Sequence, residues 1–293
     1  MTKLALALIF GAITMSHAAA NFEQELKTWR AEQESKLRSE GSWLAVVGLH
    51  WLKEGESSLG ASDRATVVLP EPAPLKLGWV HLKNGKATLK LDTVQGVTVG
   101  GARAEAGRSY ELKTDADDGG PTEVRAGSVT WFLIKRPNGV GVRVKDANAE
   151  ARRNFKGRKW YAPDASYKIT AKWTELKSPK TLIVPDIMGN DNEEPSPGYA
   201  TFTIEGKNVD LYPTKEGDKL FFVFKDKTSG KETYGAARFL YATLPKDGKV
   251  ELDFNRAVNP PCAFTDFATC PLPPKENRLD VAIKAGELKP DGH

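Results

Sequence analysis

Short runs of alternating apolar and polar residues, cut at close intervals by glycine turns, restrict this chain more than any other feature. The turns are Asn84-Gly85, Gly100-Gly101, Asp118-Gly119-Gly120 and Asn138-Gly139. Asn-Gly between two alternating runs suits the left-handed backbone of a tight hairpin and is a strong hairpin signal. Strands are expected near 66–69, 78–82, 87–91, 97–99, 108–112, 123–126, 128–136 and 140–145. Strands at that spacing imply a β-sandwich over 41–150. A second series near 166–173, 181–184, 199–205, 207–213, 219–224, 232–241, 249–254 and 279–285 implies a second β-rich sandwich or barrel over 166–293. The basic stretch 151–165 reads as a connector, docked by Trp160 and Tyr161. The fold class is mainly β.

One helix precedes the strands. Over 21–40, Phe22, Leu26, Trp29 and Leu37 fall near one stripe among Glu, Lys and Arg, with no Gly or Pro inside, and Gly41 is a plausible stop. The run Trp43–Leu52 is nearly all apolar and must be buried. His50 within it reads as a core histidine with one hydrogen bond rather than a catalytic base.

Residues 1–20 carry an address. Lys3, the apolar run Leu4–Ile13 and Ala18-Ala19-Ala20 follow the order of a secretory leader, and cleavage is expected after Ala20, with export to a periplasm or the exterior. The apolar run is too short to span a membrane. The 42 Lys plus Arg and 38 Asp plus Glu, a net charge of +4, are interspersed, which argues against a nucleic-acid partner. Two cysteines in an exported chain suggest a disulfide, Cys262–Cys270, worth about 2–3 kcal/mol for so small a loop.

The stretch 253–277 concentrates the unusual chemistry. It holds both cysteines, a run of prolines, and Asp253, Asn255, Arg256, Asn259 and Asn277. Pro260 and Pro261 cannot donate to a sheet, so a strand ending near Phe254 gives way to a long irregular segment. Its polar side chains serve equally well to satisfy loop backbone or to bind a ligand. Arg238 lies among apolar neighbours and needs a partner, for which Asp253 is the natural choice. The acidic stretch 186–198 reads as a surface turn, since its spacing does not match a calcium-binding EF-hand loop.

Two resemblances follow from particular residues. Leu59-Gly60-Ala61-Ser62, Val67–Pro70, Gly78-Trp79-Val80, Asn84-Gly85 and Val97–Gly101 resemble the scaffold of a forkhead-associated sandwich. That family reads phosphothreonine with an arginine just after the first glycine, where this chain has Ala61. It also uses a Ser-x-x-His segment, replaced here by Pro74-Leu75-Lys76-Leu77, so no phosphopeptide binding is expected. From Trp43 to Glu287 the chain resembles the domain of unknown function 1684 family of bacterial and archaeal proteins. The most specific parts are Gly41–Leu52, Pro195-Ser196-Pro197-Gly198, Asp226–Gly230 with Thr233–Arg238, and Asp253–Phe264 with Cys270, Pro271 and Asn277. The family name records no established function, so no catalytic residues can be carried over from the resemblance.

No Gly-x-Ser-x-Gly elbow, His-Glu-x-x-His pair or phosphate-cradling glycine loop is present. His50, His81 and His293 are too scattered for a histidine-rich metal site, and neither metal nor cofactor is expected. The function expected is binding of a small polar ligand by the C-terminal β domain through Arg238, Asp253, Asn255, Arg256, Asn259 and Asn277. One alternative is a structural module that binds a protein partner. Another is a hydrolase with Asp253 as general base and Arg238 or Arg256 stabilising an anion.

Overall fold

The computed structural model describes residues 2–291, with side chains from Ala20 onward. The leader expected at the N-terminus therefore rests on side chains outside the described residues, apart from Ala20, and His293 also lies outside them. The fold is mainly β with one long N-terminal helix, α1 (Thr2–Arg38). No described helix is long and apolar enough to cross a membrane. The chain packs as two compact units. One runs from Leu37 to Phe155 with Thr265–Phe267, and the other takes residues up to Lys36, 156–264 and those from Ala268 onward.

The first unit is a two-sheet sandwich. Its strands are β1 (Val46–Trp51), β2 (Gly55–Gly60), β3 (Val67–Val68), β4 (Gly78–Lys83), β5 (Lys86–Leu91), β6 (Val97–Val99), β7 (Ala102–Arg103), β8 (Ser109–Leu112), β9 (Val124–Ala126), β10 (Val129–Arg136) and β11 (Gly139–Asp146). They form a six-stranded sheet, β1-β11-β10-β9-β6-β7, and a five-stranded sheet, β3-β2-β4-β5-β8. Burial along β4 alternates residue by residue, so Val80 and Leu82 face the core while Trp79 and His81 face out. Leu59, Leu89, Trp131, Leu133 and Val142 complete that core. His50 is half-buried in β1. Burial lowers its pKa and a hydrogen bond to the Val68 backbone partly offsets this, as a core histidine requires.

The second unit has β12 (Lys168–Pro185), β13 (Asp191–Ile204), β14 (Lys207–Leu211), β15 (Thr214–Glu216), β16 (Lys219–Phe224), β17 (Arg238–Thr243) and β18 (Lys249–Asp253). The sheets are β14-β13-β12-β18 and β15-β16-β17. Phe202, Phe222, Phe224, Leu252 and Phe254 form the centre of the core. Phe254 sits 5.4 Å from Phe202 and 5.6 Å from Phe224 between ring centroids.

Four expectations are corrected here. The strands expected at 166–173 and 181–184 are one strand, β12, whose pairing with β13 shifts register between Glu175 and Lys180. In the acidic stretch, the turn is confined to 186–190 and β13 starts at Asp191. Asp186 closes that turn by accepting from Met188 N and from both the backbone and side-chain nitrogens of Asn190. The strand expected from 232 starts at Arg238, because the chain up to Thr233 is held in turns about Thr228. Residues 279–285 form no strand. They keep strand-like alternation, with Leu279, Val281 and Ile283 buried, but bond singly to Lys225, Lys227 and the Asp226 carboxylate instead of to a ladder.

Candidate functional site

The structure divides the six polar residues singled out in sequence into two groups, both in the second unit. Arg238 and Asn277 form the first. Arg238 is fully buried and pairs with Asp226, Nη2 to Oδ2 at 2.6 Å, and not with Asp253. It also donates to the carbonyls of Ile283 (3.0 Å) and Ala285. Asp226 wins because it closes the turn after β16. It accepts from Thr228 N at 2.9 Å and Thr228 Oγ1 at 2.5 Å, which fixes it beside the start of β17. Burial pushes the Arg238 pKa down and the Asp226 charge opposes that. Asn277 donates to Tyr212 O (2.7 Å) and Val223 O (3.0 Å) and accepts from Tyr212 N (2.9 Å). Both residues are therefore engaged in bracing backbone.

Asp253, Asn255, Arg256 and Asn259 lie together at and beyond the end of β18. Asp253 caps the following 3-10 turn, accepting from Asn255 N (3.1 Å) and Nδ2 (3.0 Å), and its other oxygen lies 3.2 Å from Arg256 Nε. The general-base role expected an Asp253 without a standing arginine partner, and this one has such a partner. Asn255 exchanges two hydrogen bonds with the Asp164 backbone.

This second group borders a cluster that no local sequence signal marks. Trp29 of α1 meets Trp160 edge to face, 5.7 Å between centroids. Three guanidinium groups gather on the rings: Arg30 lies 4.9 Å above Trp160, Arg158 lies 5.9 Å from Trp160 and 5.3 Å from Phe264, and Arg256 lies 5.6 Å from Trp29. Aromatic faces attract such cations. Two of the three have carboxylate partners, Arg256 with Asp253 and Arg158 with Glu287 at 2.6 Å. Arg30 has neither ion pair nor hydrogen bond among the described residues, and its Nε and Nη2 are shielded from solvent with no acceptor. Burial lowers its pKa, and the Asp253 charge only partly opposes this. Arg30 also lines a groove of about 480 Å3 with Ala20, Glu23, Gln24, Lys27 and Pro163.

Glu287 is buried because 159–161 pairs with 286–288. Tyr161 N donates to Gly286 O, and Leu288 N donates to Lys159 O. Its carboxylate accepts from Asn259 N at 2.7 Å as well as from Arg158. Burial pushes its pKa up to about 7 against the opposing pull of Arg158 and Asn259. An acid raised in the folded state stabilises fully below its unfolded pKa, and that contribution is lost as pH rises through the folded value. Folding stability should therefore fall between about pH 4.5 and 7 in the wild type relative to Glu287→Gln. Urea unfolding of both proteins across that range measures the difference, and a constant gap would refute it.

Cys262 and Cys270 are not joined, correcting the expected disulfide. Both are buried thiols, with Cys262 N donating 3.2 Å to Cys270 Sγ. That amide lies in the short 3-10 turn Pro261–Ala263. A hydrogen bond with Cys270 draws the Cys262 pKa down against the upward push of burial. Among the described residues no group of three His, Cys, Asp or Glu is arranged to hold a metal ion.

The class defined is a mainly β protein of two units, the second carrying an arginine–tryptophan cluster. The family model for proteins of unknown function (DUF1684) matches residues 153–288, so Gly41–Leu52 lies outside the matched part. The part of the chain assigned to this DUF1684 family is residues 153–288, nearly all of it in the second unit. Among solved structures it is similar to an uncharacterised protein from Haloarcula marismortui, at 30% identity and a TM-score of 0.41, over 48% of this chain and 81% of that one. It is also similar to a chain from a study of phosphothreonine-dependent FHA domain interactions, at 19% identity and a TM-score of 0.21, over 32% of this chain and 79% of that one. Among curated proteins none matches.

Proposed function

We propose that this is an exported binding protein whose second unit takes a small carboxylate ligand at the arginine–tryptophan cluster. Export is supported by the leader pattern ending at Ala20. The observation that carries the ligand is Arg30. A half-buried guanidinium with no acceptor or anionic partner is unfavourable, and a carboxylate in the adjoining groove supplies the missing charge and acceptor on its open side. Lys27 and Gln24 stand along the same groove and supply further donors. Asp253, Arg256 and Asn259 act behind this site by fixing the aromatic and cationic wall.

The test uses protein recovered from a bacterial periplasm. Its N-terminus is expected at Asn21. Citrate, succinate and acetate are then titrated by calorimetry, and the Arg30→Gln variant is expected to weaken the best of them at least tenfold. Equal affinity in wild type and variant, or no carboxylate binding by either, would sink the proposal. An intact leader on the recovered protein would separately refute export.

A further inference from the structure

Away from the cluster, the second unit carries another group of cations above the Arg238–Asp226 pair. Lys225, Asp226 and Lys227 follow β16, and a turn opens at Lys227. Asp226 is buried against Arg238, while Lys225 is half-buried and Lys227 exposed. Alongside runs Arg278–Leu279–Asp280, tied on by Leu279 N to Lys225 O at 2.8 Å and Lys227 N to Val281 O at 2.9 Å. Leu279 is buried, so Arg278 and Asp280 point outward. Lys225 and Arg278 are bridge partners across the two segments.

The charges do not cancel. Asp280 is held between Lys227 at 2.7 Å and Lys207 at 2.8 Å, and these two ammonium groups pull its pKa down to about 2. It remains charged and is saturated by that pair. Lys225 and Arg278 make no side-chain ion pair or hydrogen bond among the described residues, although like charges placed opposite each other in extended pairing repel. Lys225, Lys227 and Arg278 line a groove of about 270 Å3 together with Leu279, Asp226 and Asp280, of which Asp226 is paired with Arg238 and Asp280 with Lys207 and Lys227. Lys207 and Arg278 also wall an adjoining groove of about 290 Å3.

We propose that the Lys225–Lys227–Arg278 groove binds a tetrahedral oxyanion, either a phosphate monoester or a sulfate group, as a site separate from the carboxylate site. Arg278 supplies the planar fork and Lys225 a mobile point charge, a pairing suited to an anion with oxygens in several directions. Asp280 is paired with Lys227 and Lys207, which leaves Lys225 and Arg278 as the lining cations without a carboxylate partner.

Inorganic phosphate and inorganic sulfate are the probes, titrated by calorimetry at low ionic strength into wild type, the Lys225→Gln/Arg278→Gln double variant and Arg30→Gln. The double variant is expected to bind phosphate at least tenfold more weakly with unchanged melting in the absence of anion. Arg30→Gln should bind it as wild type does, which separates this site from the carboxylate proposal. Binding of phosphate alone would assign a phosphate monoester, and binding of both anions would assign the shared shape and charge. The proposal is overturned if the double variant binds phosphate like wild type, or if neither anion binds the wild type. Should the double variant melt early, Arg278→Gln alone, at an exposed position, is expected to show the same direction of loss.

Discussion

Asp226→Ala is expected to destabilise the protein by about 3–5 kcal/mol, because it strands a fully buried arginine. Asp226 receives Arg238 Nη2 at 2.6 Å, Thr228 N at 2.9 Å, Thr228 Oγ1 at 2.5 Å and Ile283 N at 3.0 Å. Through the last of these it fastens the tail segment that runs beside β16 without joining a ladder. Its loss leaves a charge without a partner and an amide without an acceptor in the same interior. Removing the charge as well should recover much of the deficit, since an apolar replacement of a buried ion pair is often neutral. Urea unfolding of Asp226→Ala, Arg238→Met and the double variant tests this. The expected pattern is a double variant clearly more stable than Asp226→Ala. Additive losses in the two single variants would show that the pair is not the brace. Hydrogen exchange at Ile283 should rise in Asp226→Ala, whereas exchange in the Leu37–Phe155 unit should be unaltered.

The pairing also shows what the sequence made legible and where it stopped. The hairpins about Asn84-Gly85 and Asn138-Gly139 were readable because turn and strand alternation agree locally, and β4, β5, β10 and β11 lie there. The ribbon of β12 and β13 was less so. The strands expected at 166–173 and 181–184 left a gap between them, yet pairing resumes at Lys180 after a shift in register. Arg238 was identifiable as a residue needing a partner, but choosing Asp226 over Asp253 required the path of the turn after β16. Sequence chemistry marked Asn255 and Asn277 as special without distinguishing a ligand contact from a backbone brace, since the same amide groups do both. Arg30, Arg158 and Glu287 come from three distant segments. Neither the basic connector nor the tail carried a signal that Arg30 and Arg158 meet at Trp160 and that Glu287 pairs with Arg158.

Gly286→Ala is expected to cost about 2–6 kcal/mol, combining about 1–3 for backbone strain with about 1–3 for overpacking. Gly286 has φ +85°, and a Cβ there would lie 2.7 Å from both the Phe254 and Ala257 carbonyl oxygens. Those oxygens belong to the turn that β18 feeds, so neither can withdraw without disturbing Phe254 in the core. The neighbours on either side are committed too, with the Ala285 carbonyl bonded to Arg238 and Glu287 N donating 2.9 Å to Ala257 O. Gly189 provides the control, having the same φ of +85° with nothing within 4 Å of its added Cβ. Gly189→Ala should therefore register only the backbone part, and Gly286→Ala should exceed it by at least 1 kcal/mol, the contribution of overpacking alone. Thermal and urea unfolding of both variants decide the matter, and equal losses would mean that the close approach to Phe254 and Ala257 is relieved at no cost. A displaced Gly286 also moves Glu287 away from Arg158, and with it the wall that presents Arg30. The folded fraction of Gly286→Ala should consequently bind carboxylate more weakly than Gly189→Ala does.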